Sequence, residues 1–168
     1  EKGLHKIPNF SFINQEGKKI DNSTYKDKIY IADFFFTTCP GICPKLTSNM
    51  FKLQETFIDD EEVLLLSHSV MPSIDNEHVL NDYAKLNSID SKKWNLVTGD
   101  KEKIYEIARK GYFADDLYKR TLNIEQFIHT EKFILVDKFG YIRGVYNGTI
   151  ELDINRLIRH INILKKEI

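Results

Sequence analysis

The chain predicts an α/β domain: a central mixed sheet flanked by helices, with an extra β-hairpin at the N-terminus. Three features predict it. Apolar runs of strand length alternate with amphipathic segments of helical period. A late pair of strand-like runs, KFILVD and YIRGVY, is joined by a tight turn. Cys39 and Cys43, the only two cysteines, stand four positions apart where a predicted strand gives way to a helix.

Taken in order, residues 10–13 and 18–21, joined by the turn-prone Asn14-Gln15-Glu16-Gly17, read as the N-terminal hairpin. Residues 29–36, IYIADFFF, form a near-continuous apolar run, as expected of a strand covered on both faces. Beyond the cysteines, Leu46, Met50, Leu53 and Phe57 recur at helical spacing and mark one buried face. Residues 63–70, VLLLSHSV, are a second buried strand. A helix over 75–86, opened by Asp75 or Asn76 as N-cap, would turn Val79, Leu80, Tyr83 and Leu86 inward. Residues 94–97 suit a short strand. Ile104, Ile107 and Ala108 mark a helix that stops at Gly111. The hairpin of 132–137 and 141–146 follows, and a last helix buries Ile154, Leu157, Ile158, Ile161 and Leu164. This alternation implies a mainly parallel sheet with helices on both faces. A dithiol on the turn after the first central strand, with a late antiparallel hairpin, is the thioredoxin arrangement. Without internal repeat, low-complexity tract or linker, residues 1–168 read as one domain. The least regular stretch, residues 112–128, is a long connection of the kind that carries function.

Composition narrows the function classes. Apolar content of 42% and aromatic content of 12% are values of a globular chain, not a disordered one. The 24 basic and 25 acidic residues are interspersed, which makes nucleic acid an unsuitable partner. No run is long and apolar enough to span a bilayer. The chain starts at Glu1 without a methionine, so it reads as a trimmed soluble domain whose export signal or anchor has been removed.

Two cysteines are too few for a disulfide scaffold, so the pair reads as chemical rather than architectural. One helical turn apart at a helix N-terminus, both sulfurs can face one way, and the helix dipole should lower their pKa. Such a pair can oxidise to a disulfide or hold a soft metal ion. His129, just ahead of KFILVD, tips the choice. In thioredoxin-like domains the loop entering this strand packs beside the dithiol turn, and reductases usually carry a cis-proline there. Residues 127–131, FIHTE, hold an imidazole and no proline. Two thiolates and an imidazole suit Cu(I), which is soft and content with low coordination.

On these residues the chain resembles the Sco/SenC family of thioredoxin-like copper chaperones. The likeness is carried by Thr38-Cys39-Pro40-Gly41-Ile42-Cys43-Pro44, by His129, and by the stretches SHSVMPSIDNEHVLNDYAK and LVTGDKEKIYEIARKGY. The resemblance implies Cys39, Cys43 and His129 as copper ligands, Cu(I) or Cu(II). It implies a partner in subunit II of cytochrome c oxidase or another copper acceptor, and a thiol reductant protein as a second partner. The family assists assembly of the oxidase's binuclear copper centre by delivering copper, by reducing the acceptor cysteines, or both. It also implies an extracytoplasmic setting, in a bacterial periplasm or cell envelope, tethered to the membrane. Asp75 matches an acidic residue of the loop near the site. This chain departs from the family's pattern at Gly41, at Met71-Pro72 and at Ile128, where acidic residues are common.

Two rival readings remain. In one, Cys39 and Cys43 cycle as a thiol–disulfide oxidoreductase, with the more exposed Cys39 attacking and Cys43 resolving. In the other, a peroxiredoxin, the threonine expected three residues before the reactive cysteine is replaced by Phe36. Among the remaining candidates, His68 reads as a structural histidine bonded within the sheet. His5, His78 and His160 read as solvated, the first in a mobile N-terminus. Met71 reads as apolar filler rather than a fourth ligand, and Asp115-Asp116 as solvated surface.

Overall fold

The computed structural model describes residues 4–39, 43–114, 128 and 130–167. Strands β1 (Ser11–Asn14) and β2 (Lys19–Asp21) form the predicted hairpin. Its turn depends on Asn14, whose side-chain oxygen accepts from the N–H groups of Glu16 and Lys18 at 2.9 Å each. Gly17 takes the left-handed conformation, φ 74°, that the turn requires. There follow β3 (Ile29–Phe35), α1 (Cys43–Thr56), β4 (Val63–Ser69), α2 (Glu77–Leu86), β5 (Trp94–Thr98), α3 (Lys101–Glu106), β6 (Lys132–Val136), β7 (Ile142–Asn147) and α4 (Glu151–Leu164). Helix α3 runs on as a π-helical turn over Ile107–Gly111, ending at the glycine as the sequence suggested.

Among the described residues the strands make one seven-stranded sheet in the order β2-β1-β5-β4-β3-β6-β7. The mixed sheet is as expected, but parallel pairing is confined to β3 with β4 and β4 with β5. The other four pairings are antiparallel, so the expectation of a mainly parallel sheet does not hold. The reason is that both hairpins join the central sheet in antiparallel sense, β1 against β5 and β6 against β3.

Strand β3 is buried at all seven positions, and its alternation divides the core. Ile29, Ile31 and Phe35 face a layer built from α1, α2 and α4, where Leu46, Met50, Leu53, Leu80, Leu157 and Ile161 pack. Tyr30, Ala32 and Phe34 face the layer holding Ile104, Ile107 and Ala108 together with Ile7 and Phe10. Helices therefore cover both faces, and β3 is held between them.

Of the two N-cap candidates, Asn76 caps α2, accepting from Val79 N–H at 2.9 Å. One local expectation fails. Leu86 is 83% exposed, and Ala84 is buried in its place. Six residues beyond Leu80, Leu86 is turned roughly 240° around the axis, away from the buried face.

The histidines are also better resolved by packing than by pattern. His68 is structural, as predicted: its Nδ1 lies 3.0 Å from the Asp33 carbonyl, and its ring stacks on Phe34 with centroids 4.5 Å apart. His78 is exposed beside Asp82. His5 and His160, read as solvated, are not. The first packs on Phe113 at 4.5 Å, and the second meets the Tyr146 hydroxyl at 2.6 Å through its Nδ1.

Burial holds His68 neutral and pushes its pKa down to about 4. The unfolded chain would take up that proton near the ordinary value of about 6.5. Stability contributed by the neutral ring is thus complete above that value and is lost as pH falls towards 4. Relative to His68→Phe, the wild-type protein should lose about 3 kcal/mol of unfolding free energy between pH 7 and 4. Denaturant titrations across that range check it. A difference between the two proteins that does not change with pH would contradict the assignment.

Candidate functional site

The site lies at the carboxyl ends of the parallel strands, where open α/β sheets place their ligands. Strand β3 ends at Phe35, and the turn that follows carries Cys39, whose N–H donates to the Phe36 carbonyl at 3.3 Å. Cys43 opens α1. Strand β4 ends beside β3, Ser69 in register with Phe35, and the loop after it carries Met71 and Asp75 to the same edge.

The two sulfurs are brought together unequally. Cys39 is half-buried, whereas Cys43 is 6% exposed and packs in the core layer of α1. The Cys39 thiol is within hydrogen-bond reach of Cys43. The helix N-terminus was expected to lower both pKa values, but Cys43 goes the other way. Burial pushes its thiol up to about 12, with Cys39 and the charge of Asp33 adding to the effect against a backbone hydrogen bond from Phe36. A desolvated sulfur beside another thiol and a carboxyl outweighs the dipole.

Beneath the pair lies a group the sequence reading passed over. Asp33, the one acidic residue within the apolar run of residues 29–36, is buried at 2% exposure. Alternation along β3 turns it to the side of Ile31, Phe35 and the dithiol. Ser67, its register partner on β4, donates its hydroxyl to the Asp33 carboxylate. Trp94 Nε1–H donates to the same Ser67 oxygen at 2.9 Å. Burial, opposed by the Ser67 hydroxyl, raises the Asp33 carboxyl to about 7. The available signal was its isolation, since an acid at a core-facing strand position needs a partner or a purpose.

Asp75 is likewise not the helix cap it resembled. It is fully buried, and its carboxylate accepts from Thr37 N–H at 3.0 Å, Thr37 Oγ1–H at 2.5 Å and Ser69 Oγ–H at 2.7 Å. Met71 is half-buried, and its N–H donates to Ser69 Oγ at 3.2 Å. Of the three expected metal ligands, the structure brings Cys39 and Cys43 together. His129 lies outside the described residues, as do Gly41, Asp115, Asp116 and most of the long connection after Ala114. No group of three or more His, Cys, Asp or Glu side chains suited to a metal occurs among the described residues. None of their helices is long and apolar enough to cross a membrane.

A strand, a dithiol turn and a helix, with a buried acid under the pair, can now be set against known proteins. The SCO1/SenC family model matches residues 1–165. This chain belongs to the SCO1/SenC family. A SCO1/SenC family lipoprotein from Bacillus anthracis superposes with a TM-score of 0.84 at 29% identity, covering 98% of this chain and 99% of that one. BsSco, described as a Sco-family cytochrome c oxidase assembly protein with a disulfide switch, superposes at 0.81 and 28% identity, covering 98% and 95%. Copper-bound yeast Sco1 shares the fold, with a TM-score of 0.70 at 17% identity over 97% of this chain and 94% of that one. The family's thioredoxin-like fold is thus the fold of this SCO1/SenC chain.

The unequal burial of the pair predicts the order of their chemistry. With a small alkylating reagent on the reduced native protein at pH 8, Cys39 should react at least about tenfold faster than Cys43. Peptide mapping after brief exposure measures the two rates. Equal labelling would show that the burial of Cys43 does not persist in solution.

Proposed function

We propose that this protein binds Cu(I) through Cys39, Cys43 and His129 and passes it to an acceptor in the assembly of cytochrome c oxidase. The observation that carries the reading is the juxtaposed pair of one half-buried and one buried thiol at the sheet's carboxyl edge. Two sulfurs so placed form a soft donor set matched to Cu(I). Cys43, whose thiol is held protonated by its surroundings, would give up its proton as the metal is taken. Cys39, nearer the surface, is the sulfur an incoming thiolate can approach, and ligand exchange at Cys39 would start transfer.

For His129 the support is topological. Strand β6 runs antiparallel to β3, with Ala32 opposite Ile134 and Tyr30 opposite Val136. The chain entering β6 at Lys132 therefore arrives at the end of β3 from which the dithiol turn leaves. Membership of a family that includes a copper-bound protein, an oxidase assembly protein and a lipoprotein supports copper as cargo, the oxidase as destination and an extracytoplasmic, membrane-tethered setting.

A second role uses the same sulfurs. Cys39 and Cys43 would reduce an acceptor disulfide, each thiol losing a proton and the pair losing two electrons as the Cys39–Cys43 bond forms. The unequal exposure favours Cys39 as attacker and Cys43 as resolver, and the disulfide switch described for BsSco is the same chemistry. The two roles alternate, because a disulfide sulfur is a poor copper ligand.

The reduced protein should bind one Cu(I), and Cys39→Ser or Cys43→Ser should each abolish tight binding. Competition against a Cu(I) chelator, with metal analysis, tests this, and full retention by either variant would sink the site. His129→Ala should weaken binding about tenfold or more while both thiols stay oxidisable. Unchanged copper affinity in that variant would remove His129 from the ligand set and leave thiol exchange as the stronger reading. Fully oxidised protein should take up no Cu(I) until reduced.

A further inference from the structure

The Asp75 carboxylate belongs to the loop after β4, yet two of its three donors belong to one residue of a different loop, Thr37. Thr37 is the second residue of the turn that Cys39 closes onto Phe36. Within that turn the partly buried Thr37 N–H donates out of the turn, to Asp75, at 3.0 Å. Asp75 takes it on one oxygen and the Thr37 hydroxyl on the other, a two-point grip that fixes both position and orientation. The grip is itself supported. Ser69 donates to the oxygen that holds the Thr37 N–H, and Met71 N–H donates to Ser69 Oγ. The loop is tied down further by Asp75 N–H and Ile74 N–H, both donating to the Met71 carbonyl, and by Val70 N–H donating to Phe35 carbonyl at 2.8 Å. The full burial of Asp75 keeps water from competing for these bonds.

We propose that Asp75 is the positioning residue of the dithiol, holding through Thr37 the turn that presents Cys39 to Cys43. The inference rests on the dithiol reading above and concerns a residue that touches neither sulfur. A side chain acting in this way sets how often the two sulfurs meet, and therefore the equilibrium between dithiol and disulfide.

That equilibrium is measured without copper. Reduced protein reacts with oxidised glutathione to give the Cys39–Cys43 disulfide and two reduced glutathiones. Two S–H bonds and one S–S bond break, one protein S–S bond and two glutathione S–H bonds form, and the electron pair passes to glutathione. For Asp75→Ala the equilibrium constant for disulfide formation should fall about tenfold, a shift of roughly 30 mV to less negative potential. Asp75→Asn should stay close to wild type, since its oxygen still accepts from the Thr37 N–H and its NH₂ can donate to the Thr37 hydroxyl. Thr37→Val, which keeps the N–H bond and loses the hydroxyl bond, should shift the same way by less, and keeps the test open if the alanine variant does not fold.

Unfolding midpoints on the same proteins separate positioning from support. A variant destabilised but unchanged in its glutathione equilibrium would overturn the assignment and leave Asp75 a structural residue. If Asp75→Asn behaved as Asp75→Ala does, charge rather than the grip on Thr37 would be at work, and the assignment would again fall. A wild-type protein that forms no Cys39–Cys43 disulfide at any glutathione ratio would instead defeat the dithiol reading itself, and this inference with it.

Discussion

The burial of β3 on both faces is the constraint from which the site follows. All seven of its residues are inaccessible, and it is paired along one edge with β4 and along the other with β6. A strand fixed from four sides ends at a defined point, so the turn after Phe35 leaves from a rigid platform. Three separate segments meet there. The dithiol turn follows β3, the Met71–Asp75 loop follows β4, and the chain entering β6 comes in from beyond. A dithiol presented from such a meeting of loops needs a rigid platform, because misplacement by about 1 Å is enough to cost an exchange centre its geometry.

Two buried carboxyls serve that platform in different ways. Asp75 accepts three hydrogen bonds, enough to satisfy a carboxylate out of water, and it ties one loop to another. Among the described residues Asp33 has one hydroxyl donor, Ser67, itself backed by Trp94, and burial raises its pKa to about 7. For Asp33, burial outweighs what the Ser67 hydroxyl supplies to the carboxylate. Asp33 lies where its charge opposes ionisation of Cys43, so the same burial that makes the core also keeps the inner sulfur a thiol. Any reaction at that sulfur would then begin from a thiol rather than a standing thiolate.

The sequence was most informative where a local signal agreed with its surroundings. The hairpin turn could be read from Asn14 to Gly17, β3 from its near-continuous apolar run, and α1 from Leu46, Met50 and Leu53, because each pattern is set within a few residues. Parallel against antiparallel pairing could not be read so easily, since it depends on which strands the hairpins join. Cys39 and Cys43 were legible as a pair from spacing, but the direction of the Cys43 pKa was not. The helix N-terminus is visible in sequence, whereas the opposing terms, burial and Asp33, come from the packed sheet. Asp75 shows the same limit. Beside Asn76 it had the local marks of an N-cap, yet two of its hydrogen bonds come from Thr37, 38 residues away.

The central claim is that both sulfurs of the Cys39–Cys43 pair bind copper together. X-ray absorption at the copper edge on the reduced, Cu(I)-loaded protein tests it most directly. The account predicts two sulfur scatterers at thiolate distance and one nitrogen, with the nitrogen lost in His129→Ala and both sulfurs retained. Copper held at equal occupancy by nitrogen and oxygen alone, or one sulfur per copper in a monomeric wild-type protein, would contradict it.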